Sequence, residues 1–387
     1  MSARHPIRWL PVLLIALLLG ACAGGEETPP SLTPETSRSY AMGFTDFPYA
    51  NSSAAVDEVW DILGRDADLV VYHLDDGIPW QEALDAFTQG ISHTETYDAG
   101  YLAALDFKAS RRPAGHVVYL AITPLAFLRD GLAAHRGAAG NEPLTPPWDG
   151  YALDAPEVIT AFAAHCENLI ARFEPDYFAY AIEANILADA APEKWDAFVN
   201  LASVVYASLK ANHPDLPVFI TLQASFFHGN PTEQAAAIAQ ILPYTDMIAV
   251  SAYPYTDDSD PANLPADFFS AVADLAPDKP FAIAETAWPA EDVMNAADTV
   301  LYIPASPDTQ AAYLQRLLAD ADRLSARFIN WFLARDYDAF WESTFKDLPE
   351  ADLVRLWRDT GLYDGDGNQR PALKVWRDRL ASRRAGN

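Results

Sequence analysis

Short apolar runs recur along the chain from residue 40 onward, and several of them end abruptly in a polar or charged side chain. The clearest run extends from Pro280 to Pro289 and is apolar or small until Glu285 interrupts it. A half-exposed strand alternates apolar and polar residues, whereas a strand covered on both faces is apolar along its length. This pattern predicts a buried parallel strand that delivers one carboxylate to the rim of the fold.

Eight such runs predict strands, and they cover residues 41–45, 69–73, 117–122, 177–182, 218–222, 247–251, 280–289 and 327–332. Apolar residues at helical spacing predict helices over residues 54–63, 158–173, 195–212, 232–242, 265–275 and 310–324. Strands that alternate with helices build parallel sheets, and eight repeats at this chain length predict a (β/α)8 TIM barrel. The connection 124–156 is rich in Gly and Pro and is predicted to be a loop over the rim.

The first residues follow another pattern. Arg4 and Arg8 precede an apolar stretch over residues 10–19, which ends in the sequence Leu-Gly-Ala-Cys at Cys22. This resembles a bacterial lipoprotein signal, which implies that residues 1–21 are removed and that Cys22 carries lipid. The alternative is an ordinary secretory signal with a coincidental cysteine. We expect a lipid-anchored protein of the bacterial cell envelope that contacts the membrane through its lipid alone.

Residues 22–39 are mostly Gly, Glu, Thr, Pro and Ser, and we predict a flexible tether there, followed by one domain over residues 40–387. The chain of 387 residues has a formal net charge of −28, which argues against nucleic acid and anionic lipid surfaces as partners. The simpler explanation of that charge is solubility. Cys166, the remaining cysteine, lies in an apolar helical pattern and is predicted to be a core residue. We expect a monomer.

In a parallel barrel, chemistry belongs to side chains at the carboxyl ends of the strands. The strand-end set contains Asp46, Asp75, Asp76, Thr123, Glu183, Asn185, Gln223, Tyr253, Tyr255, Glu285, Trp288 and Trp331. In the fourth strand, alternation places Ala179, Ala181, Glu183 and Asn185 on the barrel axis and Phe178, Tyr180 and Ile182 toward the helices. Glu183 and Glu285 are therefore predicted to face one pocket.

Strands four and seven lie on opposite sides of an eight-stranded ring, so their two glutamates flank whatever occupies the mouth. Two carboxylates across a cleft, one protonated and one ionised, are the groups that glycoside cleavage requires. The alternative for Glu285 is a position beside a helix N-cap or a structural ion pair.

These residues resemble clan A retaining glycoside hydrolases, nearest to endo-β-1,4-galactanases. The resemblance rests on the two glutamates, a Tyr after strand six, a Trp on strand eight and the tail TGLYDGDGNQRPAL over residues 360–373. It implies that Glu285 is the nucleophile, that Glu183 is the acid/base, and that Tyr253 or Tyr255 hydrogen-bonds the nucleophile. It also implies that Trp331 forms the aromatic floor of the sugar site. One departure is that Ile182 stands where the clan usually has Asn.

Aromatic side chains support a sugar ligand because flat indole faces suit the apolar faces of pyranose rings. Five tryptophans lie at or beyond predicted strand ends, namely Trp80, Trp148, Trp288, Trp331 and Trp341. The alternative for each is ordinary packing. No paired histidine spacing, Gly-rich phosphate loop or Gly-x-Ser-x-Gly elbow is present, so we expect no metal and no cofactor.

The sequence therefore predicts a retaining glycoside hydrolase that cleaves a β-linked oligo- or polysaccharide by double displacement. The residues predicted to bind substrate are Asp46, Asp75, Asn185, Gln223, Tyr253, Tyr255, Trp288 and Trp331. The alternative is a non-catalytic lipoprotein that binds glycan at the cell surface on the same kind of barrel.

Overall fold

In the computed structural model, the described residues are 37–138, 140–294, 302–348 and 350–384. The predicted signal peptide, Cys22 and most of the predicted tether lie outside them. Ser37–Arg38 pairs in parallel with Arg383–Arg384, and Arg38 is buried in an ion pair of 2.8 Å with Asp68. The packed structure thus includes residues that were predicted to belong to the tether. Among the helices of the described part, none is both long and apolar enough to cross a bilayer.

The predicted (β/α)8 barrel is confirmed. Eight parallel strands close into a ring in which each strand pairs with the next along the chain and the last pairs with the first. These strands are β1 Ala41–Thr45, β2 Leu69–Leu74, β3 Val117–Ile122, β4 Tyr177–Ala181, β5 Val218–Gln223, β6 Ile248–Ala252, β7 Phe281–Thr286 and β8 Phe328–Trp331. The carboxyl ends of all eight strands therefore meet at one face of the barrel.

Helices follow most of the strands. They are α1 Ser53–Asp66, α2 Trp80–Gln89, α3 His93–Thr96, α4 Ala99–Ser110, α5 Pro156–Phe173, α6 Asn185–Ala190, α7 Trp195–Asn212, α8 Ala224–Gly229, α9 Pro231–Ile241, α10 Ser270–Ala273, α11 Pro307–Arg323, α12 Asp338–Ser343, α13 Ala351–Val354 and α14 Pro371–Leu380. Local signals explain their starts, since Ser52 caps α1 by accepting from the N–H of Ala55, and Ser306 forms a capping box ahead of α11.

Three connections between the strands differ from the prediction. The helix expected over residues 265–275 is only α10, because Pro265 and the residues after it form turns. Helices α2, α3 and α4 between β2 and β3 were missed. The connection 124–156, expected as a loop, contains a small hairpin of His135–Gly137 with Gly140–Glu142.

Two layers of side chains make up the core. Inside the barrel a small cluster packs around Val71, Tyr119, Phe219 and Phe328, and a much larger layer lies between the strands and the helices. Outside the bulges described below, alternate residues of a strand enter one layer or the other, which explains why the strands are apolar on both faces.

Both strands that carry the predicted catalytic glutamates contain a β-bulge. In β4, Ala179 and Ala181 pair with the consecutive residues Phe219 and Ile220 of β5, so one residue is extra. In β7, Ile283 and Glu285 pair with the consecutive Val250 and Ser251 of β6. Bulges redirect the side chains that follow them, and they are common beside active sites.

The bulge in β4 corrects one expectation. Simple alternation places Ile182 toward the helices, whereas Ile182 packs in the cluster inside the barrel, and Tyr180 and Ala181 both face outward. Glu183 reaches the mouth by another route, because its backbone adopts a left-handed conformation with φ of 52°. Non-glycine residues rarely adopt this conformation, and those that do cluster at functional sites.

Candidate active site

Glu285 lies at the carboxyl end of β7 and is almost fully buried, at 6% exposure. Tyr253, which follows β6, donates its hydroxyl hydrogen bond to Oε1 of Glu285. On the other side, Nδ1 of His73 lies 3.3 Å from Oε2 of the same carboxyl. Burial lowers the pKa of His73 to about 4, so the imidazole is neutral near pH 7 and can donate through Nδ1. Oε1 of Glu285 thus accepts a hydrogen bond from a neutral hydroxyl, and Oε2 lies beside a neutral imidazole.

Glu183 follows β4 and is largely buried, with 15% of its side chain exposed. Its backbone N–H donates to the hydroxyl of Thr221 on the neighbouring strand β5 at 2.8 Å. This hydrogen bond and the left-handed backbone direct the carboxyl into the mouth of the barrel. There it lies near a cation, since Nη2 of Arg129 is 3.6 Å from Oε2 of Glu183.

Arg129 comes from the connection after β3 and is 4% exposed. Its Nη2 atom donates to Oδ2 of Asp75, which follows β2, at 2.8 Å. Asp75 was predicted to bind substrate, and it does lie at the mouth, where it holds the arginine that faces Glu183. The charged groups of the mouth therefore form a chain from Asp75 through Arg129 to Glu183.

The two glutamates affect each other's ionisation. Burial raises the pKa of Glu285 well above its usual range, and repulsion from Glu183 raises it further, while the Tyr253 hydrogen bond opposes both effects. Burial also raises the pKa of Glu183, with Arg129 acting in the opposite direction and Asp75 in the same one. Two carboxyls that share one buried pocket favour a state in which one of them holds a proton.

Of the two predicted tyrosines, Tyr253 is the one that donates a hydrogen bond to Glu285. Tyr255 does not, because its hydroxyl donates to the backbone carbonyl of Leu356 at 2.8 Å and its ring is buried against Trp288. The prediction for Tyr255 as a substrate-binding residue was wrong. Its hydroxyl ties the connection after β6 to the segment that follows β8.

Asn185 was also predicted to bind substrate, and that prediction was wrong. The side chain is fully buried, and its amide group donates to the carbonyl of Gln223 and to the side chain of Gln234 in α9. Its oxygen accepts from the N–H of Gln223 at 2.7 Å. Asn185 begins α6, which turns its side chain from the mouth toward the helical layer, where it joins three elements.

Gln223 and Asp46 have structural partners as well. The side-chain oxygen of Gln223 caps α8 by accepting from the N–H groups of Ser225 and Phe226. Asp46 is buried after β1 and binds the ammonium group of Lys108 on α4. Among the described residues, neither Gln223 nor Asp46 contacts Glu183 or Glu285, so no contact supports their predicted role in substrate binding.

The tryptophans that were predicted to bind sugar are buried and have structural partners instead. Trp331 and Trp288 are both fully buried in the outer layer, and Trp331 donates to the carbonyl of Thr360 at 2.8 Å. Trp288 stacks on Tyr313 of α11. Along β8, Phe328 faces the barrel interior and Trp331 the helices, so Trp331 cannot form the floor of the mouth. Trp80, Trp148 and Trp341 are buried too.

Aromatic residues that do reach the mouth include Phe332 and Trp357. Both are partly exposed; the ring of Phe332 lies edge-on to His73 and Tyr253, and that of Trp357 lies edge-on to Tyr253. The indole N–H of Trp357 has no hydrogen-bond partner among the described residues. Alternation along β8 from the buried Phe328 could have identified Phe332. No signal in the sequence identified Arg129, which lies in a long connection between elements.

The tail over residues 360–373 is structural. Arg370 binds Asp336 at 2.6 Å and Glu291 at 2.8 Å, and a Cβ atom at Gly361 would lie 2.5 Å from the backbone nitrogen of Asp336. Carboxylate oxygens of Glu291, Asp336 and Asp359 lie within 4.8 Å of one another, a spacing that could hold a metal ion. The guanidinium of Arg370 already supplies the positive charge to this group.

Comparisons with known proteins agree with the fold. No protein-family model matches the chain, and no curated protein matches its sequence. Among solved structures, the chain is similar to an exo-β-1,4-mannosidase from Opitutaceae bacterium strain TAV5, with a TM-score of 0.60 and 14% identity over 89% of this chain. This chain spans 60% of the length of that mannosidase.

Two further structures are similar over most of their own length. One is a GH5_18 protein from Streptomyces cattleya in complex with Manb1-4GlcNAc, with a TM-score of 0.59, 15% identity and coverage of 90% of this chain and 82% of that one. The other is the Ignisphaera aggregans GH53 catalytic domain, with a TM-score of 0.52, 17% identity and coverage of 90% and 98%. At these identities the likeness establishes the barrel fold.

Proposed function

We propose that this protein is a retaining glycoside hydrolase that acts on a β-linked oligo- or polysaccharide, with Glu285 as nucleophile and Glu183 as acid/base. The observation that carries the proposal is the buried pair itself. Two carboxyls stand at the ends of opposite strands β4 and β7, each strand bulged before its glutamate, and each carboxyl with a raised pKa.

The chemistry follows from these groups. Although the pKa of Glu285 is raised more strongly than that of Glu183, the proton of the pair must lie on Glu183 in the reactive state. Glu285 then attacks the anomeric carbon as a carboxylate while Glu183 gives its proton to the departing glycosidic oxygen, so that a covalent glycosyl ester forms and one alcohol leaves. Glu183, now ionised, takes a proton from water as that water attacks the same carbon and releases Glu285. Tyr253 holds Oε1 of Glu285 and orients the carboxylate for both displacements.

The choice of a β-linked substrate rests on the similar structures. One of them is an exo-β-1,4-mannosidase, and another is in complex with the β-linked disaccharide Manb1-4GlcNAc. We also propose, on the basis of residues 1–22, that the protein is anchored to the cell envelope by lipid. We propose in addition that it acts as a monomer. The identity of the sugar is a matter for screening against β-glycosides.

The test uses two substrates of different leaving-group acidity. An acidic phenol departs without a proton, whereas a sugar hydroxyl needs one. Glu183→Gln should therefore lose much more activity on the oligosaccharide than on a dinitrophenyl glycoside of the same sugar. Glu233→Gln, at an exposed position of α9, is the matched control. Proton NMR of the first product should show the β-anomer. Equal losses on both substrates, or an α-product, would contradict the assignment.

A second function, glycan binding without catalysis, is favoured by two specific observations. Ile182 packs inside the barrel at the position where clan A enzymes usually have Asn, and Arg129 stabilises the ionised form of Glu183. A protein of this kind would bind an oligosaccharide in calorimetry and release no reducing ends over days. Detection of turnover that depends on Glu285 would exclude this alternative.

A further inference from the structure

The arginine beside the acid/base is held in an unusual way. Arg129 lies in a tight turn in which the N–H of Ala126 donates to the carbonyl of Gly131 at 2.8 Å, and its own backbone is left-handed with φ of 56°. Glu183 is left-handed as well. Two non-glycine residues in a rarely occupied conformation thus bring opposite charges to 3.6 Å, and each conformation costs roughly 1–3 kcal/mol.

The side chain of Arg129 is positioned as firmly as its backbone. Nη1 donates to the carbonyl of Ala126 at 3.2 Å, and Nη2 donates to Asp75 at 2.8 Å and faces Glu183. The residues before it, Phe127 and Leu128, are about half exposed, so burial of the turn does not explain the burial of Arg129. The guanidinium lies between two carboxylates, with a hydrogen bond to Asp75 and an ion-pair distance of 3.6 Å to Glu183.

Several groups face Glu183 from the surrounding strands. Arg129 and Tyr119 come from β3 and its connection, Asp75 from the end of β2, Ser251 and Tyr253 from β6 and its end, and Glu285 from β7. Arg129 is the one permanent cation in this group. Asp75 carries a negative charge, as ionised Glu183 does. Arg129 and Asp75 therefore act on the ionisation of Glu183 in opposite directions.

We propose that the pair of Arg129 and Asp75 sets the protonation state of Glu183, with Arg129 favouring the carboxylate and Asp75 favouring the acid. Arg129 is thus a positioning residue that acts through Glu183. For catalysis, which rests on the proposed function, the pair determines the pH at which the site loses its proton donor. Arg129 also favours the ionised form of Glu183 when that residue must serve as the base in the second displacement.

The test is a pair of substitutions with opposite expected effects. An opposite charge within about 4–6 Å lowers a carboxyl pKa by about 1–3 units, so Arg129→Met should raise the titration midpoint of Glu183 by about one unit or more. Asp75→Asn should lower that midpoint. Arg129→Lys should stay near the wild-type value. Arg136→Met is the matched control, because Arg136 binds the neighbouring Asp76 through Nε at 3.2 Å.

The midpoint is read in the full domain by infrared or ¹³C NMR titration of labelled glutamate, with Glu183→Gln identifying the signal. This readout needs no turnover. A merely structural role for the pair would shift the midpoint in the same direction in both variants or leave it unchanged, and either result overturns the proposal. If Arg129→Met fails to fold, Asp75→Asn carries the test by the sign of its shift.

The pH dependence of kcat/KM separates this proposal from the proposed function. The midpoint of the alkaline limb should move to higher pH in Arg129→Met and to lower pH in Asp75→Asn, in parallel with the titration midpoint of Glu183. Shifted titrations in a protein that hydrolyses no glycoside would refute the enzyme and leave the inference standing. Glycoside hydrolysis with no shift in the titration midpoint or in the alkaline limb would refute the inference and leave the proposed function standing.

Discussion

Replacing Glu285 by glutamine should make the folded protein more stable, and more so at neutral than at acidic pH. Glu285 is 6% exposed, and its pKa is raised well above the usual range by burial and by repulsion from Glu183. A carboxyl whose pKa is higher in the folded state stabilises the fold fully below its unfolded pKa. That contribution is lost as the pH rises toward the folded value. The amide of glutamine has no such dependence and can still accept from Tyr253.

The size of the effect has an upper limit. Instead of burying a charge, the folded protein can protonate Glu285. At pH 7 this costs at most about 1.36 kcal/mol for each of the roughly 2.7 units above the reference pKa of about 4.3, or about 3.7 kcal/mol. The gain from Glu285→Gln should therefore be near zero at about pH 4.5 and grow with a slope of at most about 1.4 kcal/mol per pH unit.

The assay is urea unfolding followed by circular dichroism at several pH values between about 4.5 and 7.5. Glu233→Gln, an exposed glutamate in the first turn of α9, is the control, and it should lose a few tenths of a kcal/mol because Glu233 interacts favourably with the helix dipole. A Glu285→Gln variant that is less stable than wild type at every pH would refute the reasoning. It would mean that Glu285 is a structural ion-pair residue and not a carboxyl held at a cost for function.

Three other outcomes are expected. Tyr253→Phe removes a hydrogen bond to a carboxylate that is worth about 1.5–3 kcal/mol. The value of kcat/KM should therefore fall about 10- to 150-fold in steady-state assays, and a change under about threefold would show that Tyr253 has no role in the reaction. Asn185→Ala leaves buried partners on Gln223 and Gln234 unpaired and should cost about 2–4 kcal/mol in denaturant unfolding while the folded fraction keeps its KM. A raised KM would indicate that Asn185 binds substrate after all. Cys22→Ser should abolish incorporation of labelled fatty acid, and undiminished labelling would contradict the lipid anchor.

The architecture was readable in the sequence because it depends on local patterns. Each barrel strand is covered on both faces, so it appears as a short apolar run, and each of the eight runs corresponds to a strand with ends that differ by a few residues. The carboxyls were visible for the same reason, since a charge that ends an apolar run stands out. Glu183, Glu285, Asp75 and Tyr253 all meet at the mouth as the strand order requires.

Several errors within the site concern which face of a strand a side chain occupies. Side chains alternate between the two faces of a strand, and one extra residue or one turn into a helix reverses which face a residue occupies. The bulge in β4 moved Ile182 inward, the start of α6 turned Asn185 toward the helices, and alternation along β8 placed Phe332 and not Trp331 near the mouth. Only the last of these could have been found from sequence spacing.

By itself, the sequence determined the class of fold, the order of the strands and the two glutamates that face each other, because burial on both faces leaves a local mark in the chain. Tertiary structure alone decided what surrounds those glutamates. The contacts of Arg129 with Asp75 and Glu183 join positions 54 residues apart in each direction along the chain, through a connection with no periodic pattern. Such contacts depend on how the rim loops fold over the mouth, and they set the charge balance on which the chemistry of the site depends.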